Sequence, residues 1–561
     1  MTDPRPNDIA KIRQNGSFDV IVVGGGINGI GTFRDLALQG LRVLLVERDD
    51  FCSGCSAAPS RMIHGGLRYL ENGEFNLVRE SLFERDALLK NAPHMVFPLP
   101  TAVPVNSVFS GLLNASMSFL GMKGRPRPRG ILPIKLGLSL YDILTRNRRA
   151  LPPHRVFKGV EARALWPALS PDVRFTAVYH DAWISHPERL AVELVLDAEA
   201  DNNEAIALNY ATIAKAGNGF AVTDEEKGEV LPVSARALVN ATGAWLDETV
   251  ESLGATARGK LVSGTKGSHL ILDNPALMDA LRGHMIYFEN SDGRVCIVFP
   301  YLGKVLAGAT DIRVKGPSRV RCEDDERDYI LRSLQLIFPR LPVSAGDIVY
   351  SYSGIRPLPE ADVEFTGRIS REHFTRRLDG PVPQFCMVGG KWTTFRAFAE
   401  QTADLILAEL GIPRRASTRD LAIGGGKGEQ PRIHDRRASL YGSRAAEVTY
   451  DSKPIGGSEL TAGEVRFMIT HEKARKLGDV LQRRQPLAIT GALNGQVISA
   501  TARVMADVLG WDNARIKSEV ESLVSDLVLY HGVKPEKLKG VDDEDQPEGA
   551  HESLVHQRRV P

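Results

Sequence analysis

The chain has 561 residues, with 43% hydrophobic and 25% charged side chains, a composition typical of a globular protein with two or three compact units. A formal net charge of +1 excludes a global attraction to polyanions, so we expect no nucleic-acid partner. The five cysteines are odd in number and scattered, which excludes the disulfide framework of a small secreted protein.

A polar tail, residues 1–17, comes first and lacks the apolar core of a signal peptide, so we expect a cytoplasmic protein. Residues 20–23 are all apolar and β-branched, which is typical of a strand buried on both faces of a parallel sheet. Apolar residues recur at helical spacing over residues 27–39, and residues 42–47 read as a second strand. This order predicts a dinucleotide-binding unit.

The turn between the first strand and the helix carries the spacing Gly24-x-Gly26-x-x-Gly29. Gly24 allows a tight turn, Gly26 lets a pyrophosphate approach the backbone, and Gly29 lets the helix pack close to the strand. Glu47 follows about 20 residues later, where it can accept hydrogen bonds from ribose hydroxyls. These features predict bound NAD or FAD, and the fingerprint alone does not choose between them.

Further elements follow in chain order. Residues 71–90 and 187–200 predict helices, and residues 204–216 predict a strand. Short apolar runs separated by turns, between about residues 260 and 345, indicate a mostly antiparallel sheet distinct from the first unit. Helical patterns such as residues 462–484 dominate beyond residue 425, and the acid-rich end of the chain is expected to be disordered.

A local basic patch spans residues 121–149, where lysines and arginines flank the apolar run "ILPIKLGLSLYDIL". An apolar stretch with flanking cations can lie in the headgroup region of a membrane that carries anionic lipid. The alternative is a solvated face next to an ordinary packed helix. If the first interpretation holds, the protein is peripheral on the inner face of the cell membrane.

Four later stretches combine glycines with cationic or imidazole side chains: "SRMIHGGLRYL" (60–70), "TKGSHL" (265–270), "YSGIRPL" (352–358) and "VGGKWTTFR" (388–396). Together with the glycine turn and "NATG" (240–243), they follow the order found in the FAD-dependent glycerol-3-phosphate dehydrogenases. The chain resembles this flavoprotein family over residues 18–490, and the resemblance selects FAD over NAD.

The resemblance implies an α/β fold that has a Rossmann-type FAD-binding domain, an antiparallel-sheet substrate domain of the amino-acid-oxidase type and a C-terminal all-helical domain. It also implies oxidation of the secondary alcohol of sn-glycerol 3-phosphate to dihydroxyacetone phosphate, with electrons passed to quinone, or to oxygen in the related oxidases. The expected bounds are 18–95, 160–258 and 346–412 for the FAD-binding domain, 96–159 and 259–345 for the substrate domain, 425–538 for the helical domain and 539–561 for a disordered tail.

The chemistry needs a group that takes the hydroxyl proton and a cation near the forming carbonyl oxygen. We expect His269 to be this base and Arg356 to polarise the oxygen. A phosphate dianion is best held by arginines and other cations, and the resemblance implies that Arg68, Tyr69, Arg371 and Lys391 hold it. The residues expected to contact FAD are Gly24, Gly25, Gly26, Asn28, Gly29, Glu47, His64, Gly65, Gly66, Thr242, Gly243, Gly389, Gly390, Thr393 and Thr394.

Each assignment has a structural alternative: His64 and His269 could be core histidines, and Lys391 a solvated loop residue. Cys52-Ser-Gly-Cys55 lacks the helix expected after a redox dithiol, and we predict no metal site because His and Cys do not cluster. Trp392 and the basic insertion depart from the family pattern, so a longer substrate such as erythritol phosphate stays open. An amine or amino-acid oxidase on the same fold stays open too, as does a flavin-bound scaffold, because a fold does not fix a function.

Overall fold

Two β-sheets with helices packed around them make up the part of the chain that the computed structural model describes. The described residues are 3–66, 74–106, 131–145, 151–290, 292–360, 369, 371–429, 436–449 and 453–539. The strands in chain order are β1 (Ser17–Val23), β2 (Val43–Val46), β3 (Met62–Ile63), β4 (Val96–Val105), β5 (Arg155–Lys158), β6 (Phe175–Ile184), β7 (Ile206–Leu208), β8 (Ala211–Ala216), β9 (Gly219–Asp224), β10 (Glu229–Asn240), β11 (Val262–Leu272), β12 (Met285–Glu289), β13 (Val295–Tyr301), β14 (Lys304–Gly308), β15 (Ile312–Val314), β16 (Ile348–Pro359), β17 (Phe374–Leu378) and β18 (Gln384–Val388).

The α-helices in the described residues are connected to these strands by loops and short 3-10 turns. Their bounds are Arg5–Gln14, Ile27–Leu38, Phe75–Asn91, Ile131–Thr145, Gly159–Leu165, Pro187–Asp201, Leu246–Ser252, Pro275–Leu281, Asp324–Ile337, Phe395–Leu410, Arg436–Tyr441, Ala462–Thr470, Gly495–Leu509 and Asn513–His531. No helix among the described residues combines the length and the apolar character needed to cross a bilayer.

The first sheet has the strand order β17-β18-β10-β1-β2-β7, and β1 lies parallel to both of its neighbours. Val20, Ile21 and Val22 are fully buried because helices cover one face of the sheet, while the β8-β9-β10 hairpins and the first helix cover the other. This is the arrangement expected from an all-apolar strand. The prediction of a Rossmann-type unit over residues 18–47 is confirmed.

The second sheet has the order β15-β11-β14-β13-β12-β4-β6-β3, with β16 paired to β11 and β5 to β6. Its strands are antiparallel apart from the β4–β12 pair, in agreement with the short apolar runs of the sequence. The domain bounds expected from the sequence put β16 in the FAD-binding domain, whereas the structure places it in this second sheet. The reason is a long antiparallel pairing with β11, which sets Tyr352 opposite His269 and Arg356 opposite Thr265.

The helical pattern predicted over residues 462–484 corresponds to two separate helical segments in the structure. The α-helix ends at Thr470, Lys473 takes a left-handed conformation (φ 54°), and a separate π-helical turn covers Asp479–Arg484. Lys473 turns inward because its ammonium group pairs with Asp8 and Glu199, both at 2.8 Å. A buried ionic contact therefore overrides the local helical pattern.

Candidate flavin and substrate site

A cavity of about 1050 Å³ opens at the carboxyl ends of β1, β2 and β10 and reaches the second sheet at β16. Ligands of open α/β sheets bind at this edge. Most of the residues predicted from the sequence line it: Gly24, Gly26, Asn28, Glu47, His64, Gly66, Thr242, Gly243, Arg356, Arg371, Gly389, Gly390, Lys391 and Thr393.

Five further predicted residues do not line the cavity, and two more lie outside the described residues, so the structure gives no position for them. Those that lie outside are Arg68 and Tyr69. Those behind the lining are Gly25, Gly29, Gly65, His269 and Thr394.

The glycine turn has the geometry that the fingerprint requires. Gly24 has φ +106°, and a Cβ on it would lie 2.7 Å from the Ala241 carbonyl oxygen. A Cβ on Gly29 would lie 2.0 Å from the Gly24 carbonyl oxygen, so only glycine lets the helix Ile27–Leu38 start this close to β1. The amino terminus of that helix therefore faces the cavity at short range, where its dipole favours phosphate.

Glu47 at the end of β2 holds the turn from the other side. Its carboxylate accepts hydrogen bonds from the amides of Gly25 (2.6 Å) and Asp49 (2.8 Å). Burial raises the pKa of Glu47 to about 7, against the pull of these two amides. Gly25 therefore stabilises the turn by donating to Glu47, whereas Glu47 itself lines the cavity, where its carboxylate can accept hydrogen bonds from a ribose.

Beside the turn lies a backbone cradle, Gly389 and Gly390, that fits an extended cofactor such as FAD. Gly389 and Gly390 have φ +79° and +98°, and a Cβ on Gly390 would lie 2.4 Å from Asn28 Nδ2. Asn28 Nδ2 donates to the Gly389 carbonyl (3.1 Å), while Asn28 Oδ1 is buried without a hydrogen-bond partner among the described residues. An orphaned acceptor beside a glycine cradle suits a ligand that brings hydroxyl or amide donors.

One end of the cavity is cationic. Arg356 and Arg371 both pair with Asp311, at 3.1 and 3.4 Å, and Arg356 also donates to the Thr310 carbonyl. The Lys391 ammonium group donates to Ser81 Oγ (2.8 Å). All three cations line the cavity, Arg356 and Arg371 share Asp311, and the charge of Arg371 acts on Lys391, so this part of the cavity suits an anionic ligand.

Burial controls the charges of Lys391 and His64 at this end of the cavity. It lowers the pKa of Lys391 to about 7, although the Glu80 carboxylate opposes the shift. Burial, together with the charge of Lys391, lowers the pKa of His64 to about 4. His64 is therefore a neutral imidazole at neutral pH, and its backbone N–H donates to Thr393 Oγ1 (3.2 Å).

His269 lies on β11 behind the cavity wall and is 1% exposed. Its ring stacks on Tyr352, with centroids 4.9 Å apart, and its Nε2 lies 2.9 Å from Ser60 Oγ. Burial and the nearby Arg356 lower the pKa of His269 to about 3. Ser60 does line the cavity, so this hydroxyl stands between the imidazole and any ligand.

Several side chains that the sequence analysis missed organise the site. Asp311, Ser60 and Asp181 line the cavity, and Glu326 accepts hydrogen bonds from Ser268 and Thr310 and pairs with Lys266. The available signal was a lone carboxylate inside or just after an apolar strand, as in "VYHDAWI" and "LAGATD". In the described residues, no group of three or more His, Cys, Asp or Glu side chains could hold a metal ion.

Comparisons with known proteins agree with this geometry. The family model described as FAD dependent oxidoreductase matches residues 19–405, and the one described as C-terminal domain of alpha-glycerophosphate oxidase matches residues 384–516. A glycerol-3-phosphate dehydrogenase from Synechocystis sp. is 33% identical over 559 residues, covering 91% of this chain and 96% of that protein. A D-erythritol 1-phosphate dehydrogenase from Brucella abortus is 29% identical, covering 83% of this chain and 93% of that protein.

The fold has a solved counterpart in the glycerol-3-phosphate dehydrogenase from Bacillus halodurans complexed with FAD. It superposes with a TM-score of 0.71 at 23% identity, covering 95% of this chain and 98% of that chain. The predicted fold class and the choice of FAD as cofactor are confirmed. The chain belongs to the FAD-dependent glycerol-3-phosphate dehydrogenase family.

Proposed function

We propose that the protein oxidises the secondary alcohol of sn-glycerol 3-phosphate to dihydroxyacetone phosphate and that the electrons pass on to quinone. The observation that carries this proposal is the cationic end of the flavin cavity, where Arg356 and Arg371 share Asp311 and Arg371 is close enough to Lys391 for its charge to act on it. Forked guanidinium donors and an ammonium group suit a phosphate dianion, whereas an amino-acid substrate would need a carboxylate clamp only.

The phosphate is held by Arg371 and Lys391 in this proposal, with Arg68 and Tyr69 as the further candidates outside the described residues. Asp311 pairs with Arg356 and Arg371 and keeps both guanidiniums aligned along one wall. Arg356 then faces the secondary alcohol and stabilises negative charge on its oxygen as the carbonyl forms.

His269 takes the hydroxyl proton through Ser60. The Ser60 hydroxyl donates to His269 Nε2 while it accepts the proton of the substrate hydroxyl, so one proton moves at each oxygen and the imidazole ends protonated. The low pKa keeps His269 neutral over the working pH range and makes it a weak base, so the proton reaches it as the hydride leaves and the substrate hydroxyl becomes acidic. FAD, when bound, supplies the acceptor for the hydride that leaves the secondary carbon.

An anaerobic titration tests the proposal. The visible absorbance of the purified flavoprotein should bleach with sn-glycerol 3-phosphate and stay unchanged with glycerol, which lacks the phosphate. A soluble quinone analogue should then restore the colour faster than oxygen does. Bleaching by an amino acid or amine but not by any polyol phosphate would replace the proposal with an oxidase of that class. A flavin that stays bound and is reduced by none of these compounds would indicate a scaffold.

A longer polyol phosphate, such as erythritol phosphate, is the second candidate substrate. The Brucella abortus relative supports it, and so does the Asp311 carboxylate on the cavity wall, which can accept hydrogen bonds from further hydroxyl groups. The ratio of kcat/KM for the two substrates separates the candidates. A ratio above about ten in favour of erythritol phosphate would assign the longer substrate.

We also propose that the protein is cytoplasmic and binds the inner face of the cell membrane through residues 121–149. Only the helix Ile131–Thr145 of this segment is described, apart from two side chains within it. Leu138 and Tyr141 pack inward, while the opposite face exposes a row of large apolar side chains. These are Leu132, Leu136, Ile143 and Leu144, which are 46%, 75%, 66% and 42% exposed.

Such a stripe with cations around it suits the interface of an anionic bilayer. The intact protein should float with vesicles that contain anionic lipid, and Leu136→Asp with Ile143→Asp should abolish flotation without loss of bound FAD. Val160→Asp is the matched control, because Val160 is 77% exposed outside this helix. Equal flotation of all three proteins would disprove the contact.

A further inference from the structure

A buried carboxylate at the cavity wall, Asp181 on β6, connects three distant parts of the chain. Its Oδ1 accepts hydrogen bonds from the Tyr141 hydroxyl (2.5 Å), from Arg85 Nη1 (3.1 Å) and from the backbone N–H of Gly65 (3.0 Å). Both side chains of the Asp181–Arg85 ion pair are almost fully buried. Tyr141 comes from the helix Ile131–Thr145, so this helix is tied directly to the loop that carries His64.

The loop is fitted to this cluster at close range. The Gly65 amide also lies 3.1 Å from the Tyr141 hydroxyl. A Cβ on Gly65 would lie 2.1 Å from that hydroxyl oxygen and 2.4 Å from Leu82 Cδ2. Gly65 was predicted to contact FAD, but it does not line the cavity. A glycine is needed at this position because a larger residue would clash with Tyr141.

The next residue along the loop shows what the cluster holds in place. His64 lines the cavity, and its own backbone N–H is bonded to the Thr393 hydroxyl, which follows β18. Two consecutive amides, those of His64 and Gly65, are therefore held by side chains from distant parts of the chain, which fixes the backbone from which the imidazole projects towards Lys391. Removing the Tyr141 hydroxyl opens a gap beside Gly65 and takes away one of the two acceptors of its amide, and removing Thr393 Oγ1 takes away the acceptor of the His64 amide, so either change lets the loop shift.

We propose that Asp181 and Tyr141 are positioning residues for the reaction: they hold the His64–Gly65 backbone so that the imidazole is in register with the flavin and the substrate. This inference rests on the proposed function for its kinetic part. The two side chains act on the reacting groups only through the loop. A displacement of about 1 Å is enough to slow such a reaction by about a hundredfold.

The test compares Tyr141→Phe, Asp181→Asn and the double variant with the wild-type holoenzyme. Tyr141→Phe should lower the rate of anaerobic flavin reduction at saturating glycerol 3-phosphate at least about tenfold, and the KM should change by a smaller factor because Arg371 and Lys391 are untouched. The visible circular dichroism of bound FAD should change as well. Because the two residues act as one unit, the double variant should lose no more rate than the worse single variant.

Asp142→Asn is the matched control. Asp142 follows Tyr141 on the helix Ile131–Thr145, but its carboxylate lies 2.8 Å from His154 Nδ1. This variant should leave both the rate and the spectrum unchanged.

The inference is overturned if Tyr141→Phe has the wild-type rate and spectrum, if the losses in the double variant add, or if Asp142→Asn has the same effect. A wild-type flavin that glycerol 3-phosphate fails to reduce would overturn the proposed function, while the spectra would still decide the placement of the loop. Tyr141→Phe keeps the test decisive if Asp181→Asn does not fold.

Discussion

The charge of Lys391 changes with pH near neutrality, because burial lowers the pKa of its ammonium group to about 7. Below that pH it is protonated and attracts the substrate, which is a dianion above about pH 6. As the pH rises through 7 the amine loses its charge, so the phosphate loses a partner. The optimum for binding therefore lies between the two values.

The KM for glycerol 3-phosphate should rise above about pH 7, by up to about tenfold per pH unit if only the protonated lysine binds. Lys391→Arg should remove this rise, since arginine stays charged. The measurement is the KM from about pH 6 to about pH 9 for both proteins. A flat profile in the wild type would show that Lys391 does not set the affinity.

The Ser60–His269 pair determines where the hydroxyl proton goes. His269→Ala should lower kcat by about 10²- to 10⁴-fold with little change in KM, and Ser60→Ala should lower it by a smaller factor because water can replace the hydroxyl. Ser263→Ala is the control on the same strand, since Ser263 bonds only the Pro359 carbonyl among the contacts described. An unchanged kcat in His269→Ala would remove this residue as the base.

Sequence analysis could identify the family motifs but not the depth at which each side chain lies. His269 is buried because β14 presents Gly308 to it: a Cβ there would lie 2.3 Å from the imidazole Cδ2. The pairing of His269 with Gly308 joins residues on separate strands that are far apart in the sequence, so no local pattern contains it. Asp181 was missed for the same reason, because its partners lie on different elements.

At the scale of elements, the glycine turn was predictable because its constraints are local. The predicted helix over residues 27–39 is observed as Ile27–Leu38, and the strand over residues 42–47 as Val43–Val46. The helix over residues 462–484 was not predictable in its second half, since the break at Lys473 depends on Asp8 and Glu199. The spacing of apolar residues predicts a helix correctly only where no distant charged group draws a side chain, such as that of Lys473, out of the helical arrangement.

The turn and β2 act together through Glu47. Glu47→Ala should weaken FAD binding by about 1.5–3 kcal/mol, roughly ten- to a hundredfold in Kd, because the Gly25 amide loses its acceptor and the ribose loses a carboxylate. The measurement is the fraction of FAD retained after extended dialysis. Glu229→Ala is a control in the same sheet, where the glutamate pairs with Arg13 at the surface. Full occupancy in Glu47→Ala would contradict the ribose contact.

At the scale of the whole molecule, Asp50 joins the C-terminal domain to the first sheet. Its fully buried carboxylate pairs with Arg484 and with Arg483 (2.7 Å for the latter). Burial alone would raise the pKa of Asp50, but the two guanidiniums outweigh it and hold the pKa at about 2. Because this value is below that of an unfolded aspartate, the contact stabilises the protein above about pH 4 and is lost as the pH falls towards about 2.

Asp50→Ala should destabilise the protein by about 3–5 kcal/mol, since it removes the carboxylate paired with the fully buried Arg484, while Arg483 keeps its contact with Asp479. The midpoint of denaturant unfolding at neutral pH measures this loss, and flavin release should accompany it because Arg483 lines the same cavity. Asp379→Ala, which breaks the exposed pair with Arg377, should leave the midpoint almost unchanged. Equal midpoints for Asp50→Ala and the wild type would exclude the interdomain contact as a source of stability.

The strand order of the first sheet also governs when the protein can acquire its cofactor during synthesis. β1 pairs with β10, and β10 pairs with β18, so the sheet stays incomplete until residue 388 has left the ribosome. The cradle at Gly389 and Gly390 emerges only after that strand. A nascent chain therefore exposes its glycine turn long before it can retain a flavin.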